Sequence, residues 1–289
     1  MKYTIATHNG PFHADDVIAS VLMGAWRSNV EVVRTRDQDV IDDADIVVDV
    51  GSEYNADELR LDHHQPDFGR KHPADEEGNV YSMASAGLAL EQSSFLFNRF
   101  NIGDPAVEEQ AKEMLREELI RGVDAADNGE VDGHGTVSEL IAGFNPEWDE
   151  DVSFDEKFSE ALDFALGVLD RKVKHILSQI KAEQLFRDAE TMFNGQVKVL
   201  QQYLPWTGME TPKELLYVVF PASGGGYRVQ QVPEQPGGMA GRKPLPEAWV
   251  EDAPSVEGGD AVFVHSGRFI AGTTTEAAAI DMARQAVAA

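Results

Sequence analysis

Cysteine is absent from the 289-residue chain. Disulfides and thiolate zinc sites are therefore both excluded, and any metal ion must be held by His, Asp, Glu and water. Positive charge is scarce as well: 24 Lys and Arg stand against 51 Asp and Glu, for a formal charge of −27. Duplex DNA requires clustered positive charge over a broad face, so no duplex-DNA partner is expected. A small anion is still a workable ligand where metal ions and a few local Arg neutralise it. Long hydrophobic runs are missing too, with nothing near the roughly 18 apolar residues of a membrane span. The opening MKYTIATHNGPFHADD has no signal-peptide pattern, because charge arrives before any sufficient apolar region. These absences point to a cytoplasmic protein with no membrane partner.

What is there is an ordinary globular composition, 42% apolar and 26% charged, in a chain long enough for two domains. KYTIATH reads as a short buried strand, and Val17, Ile18, Val21, Leu22 and Ala25 fall at helical spacing between Ala14 and Trp26. Strands follow at VEVVRT (30–35) and at DIVVDVG (45–51), the latter an unbroken apolar run of the parallel-sheet type. Strand, helix, strand, strand is the start of a doubly wound α/β sheet. After an irregular segment (60–73), helical patterns occupy 82–97 and 104–127, and a long amphipathic tract runs over 153–193. Near Asn194-Gly195 the texture changes: QVKVLQQYL, ELLYVVFPA, YRVQQV and AVFVHSGRFIAG read as strands, and TEAAAIDMARQAVA as a closing helix. The expected domains are therefore 1–193, including the 153–193 tract, and 194–289. The tract is expected to pack on the first domain and lead to the second, with a homodimer contact as the alternative.

Four polar clusters stand at the expected strand ends, loops and helix ends. They are His8, His13 and Asp15 after the first strand; Asp49 at the end of the third; Asp62, His63 and His64 in LDHHQ; and Asp124 and Asp127 in VDAADNG. Open α/β sheets bind ligands beyond the carboxyl ends of their strands, where the first two clusters would sit. Imidazole plus carboxylate without sulfur suits Mn²⁺, Zn²⁺ or Mg²⁺. Two such ions about 3.5–4 Å apart can share one carboxylate, activate a water and clamp a phosphoryl group. Separately, each residue has a bland explanation. Asp16 reads as a first-turn charge favoured by the helix dipole, and the acidic run 42–45 as a solvated turn. An Asp followed by two His inside a loop has the least structural purpose.

The order H-N-G-P-F-H-x-D, V-V-D-V-G, L-D-H-H-Q, V-D-A-x-D-N-G resembles the DHH phosphoesterase superfamily. Within it, the best match is the melanocyte-proliferating-gene family of metal-dependent hydrolases, whose eukaryotic members are described as RNA exonucleases working 3′ to 5′. YRVQQVP, RKPLPEAW and FVHSGRFIAG extend the resemblance over nearly the whole chain. It implies an N-terminal doubly wound, mainly parallel DHH-type sheet and a smaller C-terminal α+β substrate domain. It also implies two divalent ions: His8 and His13 on the first, Asp15 and His63 on the second, Asp49 bridging, and a last carboxylate from Asp124 or Asp127. His64 would face the scissile phosphate as proton donor or stabiliser, with Asp62 orienting His63 or the loop. Arg242, Lys243, His265, Arg228 and Arg268 are the expected substrate contacts, with the GGG run at 224–226 read either as an anion cradle or as a plain hairpin.

Two departures matter. His13 stands where many relatives have Asp, which removes a negative charge and leads us to expect Mn²⁺, or Zn²⁺, over Mg²⁺. Ala14 and Asp16 stand where relatives carry Cys and Glu, and neither is an expected ligand. The expected function is hydrolysis of phosphodiesters by a metal-activated water, on short single-stranded RNA or a small nucleotide. The alternatives are a pyrophosphatase-like phosphoanhydride hydrolase and a non-catalytic metal-binding regulatory module.

Overall fold

A computed structural model describes residues 2–289, apart from the side chains at 96 and 97. The chain is an α/β protein that divides between Leu177 and Ser178 into two units, each with its own sheet. No helix among the described residues is long and apolar enough to cross a membrane.

The first unit is built on β1 (Tyr3–Thr7), α1 (Ala14–Met23), β2 (Val30–Arg34), α2 (Gln38–Asp43), β3 (Ile46–Val48), β4 (Tyr54–Asn55) and β5 (Arg60–Leu61). Its sheet order is β2-β1-β3-β5-β4, with every pair parallel except β4 with β5. The chain leaves β1 toward one side to make β2 and returns to the other side of β1 to make β3. That reversal is the switch point at which open α/β sheets leave a crevice. It places the carboxyl ends of β1, β3 and β5 side by side at one edge.

α1 is buried along nearly its whole length, with Val17, Ile18, Val21 and Leu22 all at 2% exposure or less. It packs against α3 (Ser85–Gln92) and ends at Gly24, whose φ of 117° supplies the left-handed cap. The helix expected to reach Trp26 thus stops at Met23. The pattern over 82–97 is two helices, α3 and α4 (Phe95–Phe100), because the Ser93 hydroxyl donates to Leu22 O and accepts from Phe95 N–H, breaking the run. The pattern over 104–127 is nearly continuous: α5 (Pro105–Leu115), a π-type segment (Arg116–Ile120) and α6 (Arg121–Asp127). The acidic run 42–45 begins as the last turn of α2 rather than as a free turn. Short α7 (Val137–Ala142) follows, and then α8 (Phe154–Asp188).

The division between units falls inside α8, whose last turns place Ala182 and Phe186 in a core with Leu200, Trp206 and Phe220. The texture change at Asn194-Gly195 is the turn of a hairpin between β6 (Glu190–Met192) and β7 (Val197–Val199). Phe193, Asn194 and Gly195 all adopt positive φ there. β8 (Tyr217–Pro221), β9 (Tyr227–Gln231), β10 (Ala261–Val264) and β11 (Ile270–Thr273) complete a mixed sheet of order β10-β11-β9-β8-β7-β6. α9 (Glu276–Ala288) covers it with Ala279, Met282, Ala283 and Ala286. The GGG run closes the β8–β9 hairpin through Ala222 N–H to Gly226 O. A Cβ on Gly226 would come within 2.4 Å of Thr273 O. Glycine is required there by backbone approach, which accounts for it without an anion.

Candidate metal centre at the sheet edge

Three strand ends deliver the site. His8 follows β1, Asp49 follows β3, and His63 with His64 follows β5. Asp49 takes φ 55° and Ser52 the same value, with Gly51 at 94°, so the chain turns sharply as it leaves β3. A left-handed non-glycine residue costs about 1–2 kcal/mol, less for Asp; here it aims a carboxylate back at the crevice. His13 is the N-cap of α1, and its N–H donates to Asp16 Oδ1 at 3.0 Å. The preceding loop is held from outside by Asn145, which exchanges hydrogen bonds with Phe12, and by Arg34 donating to Gly10 O.

Asp49 lies at the centre. Its Oδ2 is 3.3 Å from His8 Nε2 and its Oδ1 is 3.3 Å from His63 Nε2, so its two oxygens face two imidazoles. His63 Nε2 also lies 3.3 Å from Asp127 Oδ2, while Asp127 Oδ1 is 3.3 Å from His13 Nδ1. Asp15 is wholly buried, 3.8 Å from His63. The amino end of α3 faces this cluster: the Ser85 hydroxyl donates to Asp49 Oδ1 at 3.0 Å and its N–H approaches Asp15 Oδ2 at 3.4 Å. A helix amino end is a favourable place for carboxylates.

Asp124 and Asp127 differ in what they face. Asp124 faces away from the imidazoles of the crevice. It is wholly buried against His72 Nε2 at 2.8 Å and accepts from Gly87 N–H. Asp127, one helical turn on, meets His13 and His63. Of the two roles expected for Asp62, the structure shows the loop: its carboxylate accepts from the N–H groups of Ser52, His63 and His64, and also from His64 Nδ1 at 2.7 Å. It therefore fixes the loop and the ring of His64, not the ring of His63. That contact leaves His64 Nε2 on a side chain that is 56% exposed.

Donor atoms within 4.8 Å of one another form three groups: His8, Asp16 and Asp49; Asp49, His63 and His64; and His13, Asp15 and Asp127. Asp49 is shared by two of them. His8 and His13, expected on one ion, fall in different groups. Asp16 is the principal addition. It is wholly buried, 3.2 Å from His8 Nε2, and is not merely a surface charge at the helix start. The spacing His13 to Asp16 is that of a reciprocal helix cap, a signal that points the Asp16 side chain back toward the loop.

The electrostatics fit cations. Burial, then Asp49, Asp127 and Asp16, raises the Asp15 carboxyl well above its ordinary value. Burial also raises Asp16, with His8 opposing. Burial opposes ionisation of Asp49 and Asp127 too, but the imidazoles bonded to them hold both below the usual range. Burial pulls His8 and His63 down, yet their carboxylate partners push each up to about 10. Asp15 Oδ1 is buried without a hydrogen bond, and the buried Asp16 Oδ2 and His63 Nε2 have only long contacts, at 3.2 Å to His8 and at 3.3 Å to Asp49 and Asp127 respectively. So many carboxylates in one crevice require positive charge, and in this arrangement protons on two histidines supply it. Oxygen and nitrogen donors with orphaned atoms are what divalent Mn or Zn would satisfy.

A cleft of about 460 Å³ opens over the cluster, lined by His8, His13, Asp49, Asp62, His64 and Arg36 among others. Arg36 is exposed just beyond β2, at the same sheet edge, and was missed from sequence. The rule about strand ends applied to β2 as well as to β1 and β3.

The cations expected to contact substrate in the second unit are engaged locally. Arg242 donates to the carbonyls of Pro212, Leu215 (3.0 Å) and Thr211 (3.3 Å), and Lys243 to Val287 O at 2.9 Å. Arg228 donates to Tyr227 O and lies over the Phe263 ring. His265 accepts from Gly267 N–H and packs on Phe269, while Arg268, at φ 59°, lies 3.9 Å from Glu247. These contacts stabilise turns and strand ends of the second sheet. Arg242 and Lys243 thus already donate to backbone carbonyls where an anion was expected to meet them.

Comparison with known proteins adds an independent line. The MYG1_exonuc family model, described as Uncharacterised protein family (UPF0160), matches residues 4–287. The chain is similar to MYG1 protein C694.04c of Schizosaccharomyces pombe, 30% identical over 98% of this chain and 97% of that one. It is 29% identical to MYG1 exonuclease of Homo sapiens over 98% of this chain and 85% of the relative. The MYG1 protein of Dictyostelium discoideum is 27% identical over 97% and 95%. A crystal structure of an uncharacterized protein from Helicobacter pylori G27 covers 95% of this chain at 12% identity, but its TM-score of 0.25 carries no argument.

Proposed function

This chain belongs to the MYG1 exonuclease family, and on that premise we propose that it is a divalent-metal-dependent phosphoesterase. It hydrolyses phosphodiesters of short single-stranded RNA or small nucleotides, removing units from the 3′ end. The observation that carries this reading is Asp49, whose carboxylate is shared between two donor groups at the sheet's switch point. A bound pair of divalent ions, Mn²⁺ preferred, would supply a water nucleophile near neutral pH and neutralise phosphoryl oxygens.

His8, Asp16, Asp49, His63, His13, Asp15 and Asp127 would hold those ions. Around them the chain's own residues orient the substrate. Arg36 lines the same cleft and offers a planar guanidinium to a non-bridging phosphate oxygen. His64 has Nδ1 held by Asp62, so the ring atom left to face a leaving oxygen is Nε2. The hydrogen bond that His64 Nδ1 donates to Asp62, with burial opposing, raises the His64 pKa, the direction that favours a proton donor. A pyrophosphatase-like reading needs a dense cationic cluster for a small tetra-anion, and Arg242 and Lys243 are already taken up by carbonyls.

The test is a manganese-supplemented assay on 5′-labelled short RNA, bis(p-nitrophenyl) phosphate and pyrophosphate, with metal analysis of the purified protein. Asp49→Ala should abolish diester hydrolysis, and about two ions per chain should be found in the wild type. Full turnover in both Asp49→Ala and His63→Ala would refute the assignment.

A further inference from the structure

We infer that a second cleft in the first unit receives the 3′-terminal nucleoside of the substrate, sugar and base together, with its free ribose hydroxyls against Asp132 and Glu139. The inference rests on the phosphodiesterase reading and adds to it where the strand ends.

The cleft has a volume of about 400 Å³ and is lined by His13 and Asp127, so it adjoins the metal centre directly. His13 lines both this cleft and the one that holds Arg36. Sites for one small molecule run from about 300 to 1,000 Å³, so this volume takes one nucleoside and not a run of nucleotides. Val123, Ala126 and Ala142 give it apolar walls of small side chains.

Charge decides which part of a nucleotide belongs in which cleft. No Lys or Arg lines the second cleft, while Asp127, Asp132 and Glu139 do, and the His134 ring is paired with Glu139 at 2.7 Å. A phosphate there would face like charge, an unfavourable contact. Ribose hydroxyls and base amino groups, by contrast, donate to carboxylates. Ser138 Oγ, also on the lining, makes no hydrogen bond of its own. The phosphate therefore belongs beside Arg36 and the ligand set, and the neutral nucleoside beyond His13. A strand continuing through the second cleft would bring its next phosphate against Asp132 and Glu139, so the cleft suits a chain end.

The test pairs binding with turnover. Equilibrium dialysis with labelled adenosine should show binding to the wild-type protein and about ten-fold or greater weakening in Ala142→Trp, which fills the cleft from an exposed position. Turnover of short RNA relative to bis(p-nitrophenyl) phosphate should fall by about the same factor in that variant. Wild-type protein should favour a 3′-hydroxyl RNA over its 3′-phosphorylated form, and Asp132→Asn with Glu139→Gln should narrow that preference. Unchanged adenosine binding in Ala142→Trp, or equal use of the two RNA ends by wild type, overturns the inference. If neither diester is hydrolysed but Ala142→Trp still loses adenosine, the phosphoesterase reading falls and the nucleoside cleft stands.

Discussion

The two sheets treat charge in opposite ways. In the second unit, buried or half-buried cations are matched to backbone. Lys198 is 5% exposed, and its ammonium donates to the carbonyls of Phe186 (2.6 Å), Arg187 and Ala189, capping the end of α8. Arg242 does the same for the carbonyls of Thr211, Pro212 and Leu215. Such placements satisfy the orphan acceptors of turns and helix ends. At the edge of the first sheet, buried carboxylates face one another, the buried Asp15 Oδ1 has no hydrogen bond, and Asp49 sits in a left-handed conformation. Asp127 adds a negative charge at a helix carboxyl end, where the dipole disfavours it. The contrast teaches where to look for chemistry: charge that is matched to backbone builds structure, and charge left unresolved in a crevice awaits a ligand.

The contrast can be tested, and the largest stability effect should come from removing metal. Chelation should lower unfolding free energy by about 3–4 kcal/mol when the ion had been held at 100 to 1,000 times its dissociation constant. Hydrogen exchange should show the lost protection in β1, α1 and α3 and not in β8 or β9; uniform loss across both sheets would break the contrast. Next is Arg242→Met, which strips the 211–215 turn of its donor. A loss of about 2–3 kcal/mol with unchanged metal stoichiometry is expected, and reduced metal content would place Arg242 in the site after all.

Asp15→Asn should act in the opposite sense on the metal-free protein. It replaces a wholly buried, crowded carboxyl by a neutral isostere and should stabilise that form by about 1–2 kcal/mol while impairing metal uptake. A lower melting temperature than wild type in chelator would contradict the electrostatic account. The smallest effect belongs to Asp281 in the second unit. Burial opposes its ionisation, but Glu257 N–H, Arg284 and Gln285 hold its pKa below the ordinary value. A depressed carboxyl adds stability above its unfolded pKa of about 3.9, and that stability is lost as pH falls through the lower folded value. The melting deficit of Asp281→Asn at pH 7 should therefore shrink in acid, and a deficit constant from neutrality to strong acid would assign it to packing alone.

Much of the fold was legible because periodicity is local. β1, β2 and β3, the closing helix α9 and the strands of the second sheet after Asn194 lie where apolar alternation and turn residues put them, whereas β6 (Glu190–Met192) falls inside the tract read as helix. The break at Ser93 was not legible, since it depends on a carbonyl of Leu22 some seventy positions away. Nor was α7, whose six residues carry too little pattern. Within the site, the imidazoles and carboxylates could be named from HNGPFHADD, DVG and LDHHQ, but their partners could not. Asp16 looked like a solvated helix-start charge because its burial comes from the packing of α1 against α3. Arg36 carried no motif to single it out, a lone Arg before Asp37 beyond the end of β2.

The sequence by itself determined which donor atoms are on offer: no sulfur, clustered His and Asp at strand ends, and a surplus of negative charge. Those properties follow from composition and from the parallel-sheet rule, which need no coordinates. Only the tertiary structure decided that Asp127 and not Asp124 enters the crevice, that Asp62 serves His64, and that Arg242 serves carbonyls. Each of these choices turns on which of two nearby side chains faces a buried partner. A helix turn of about 100° per residue leaves that undecided until neighbouring elements are in place.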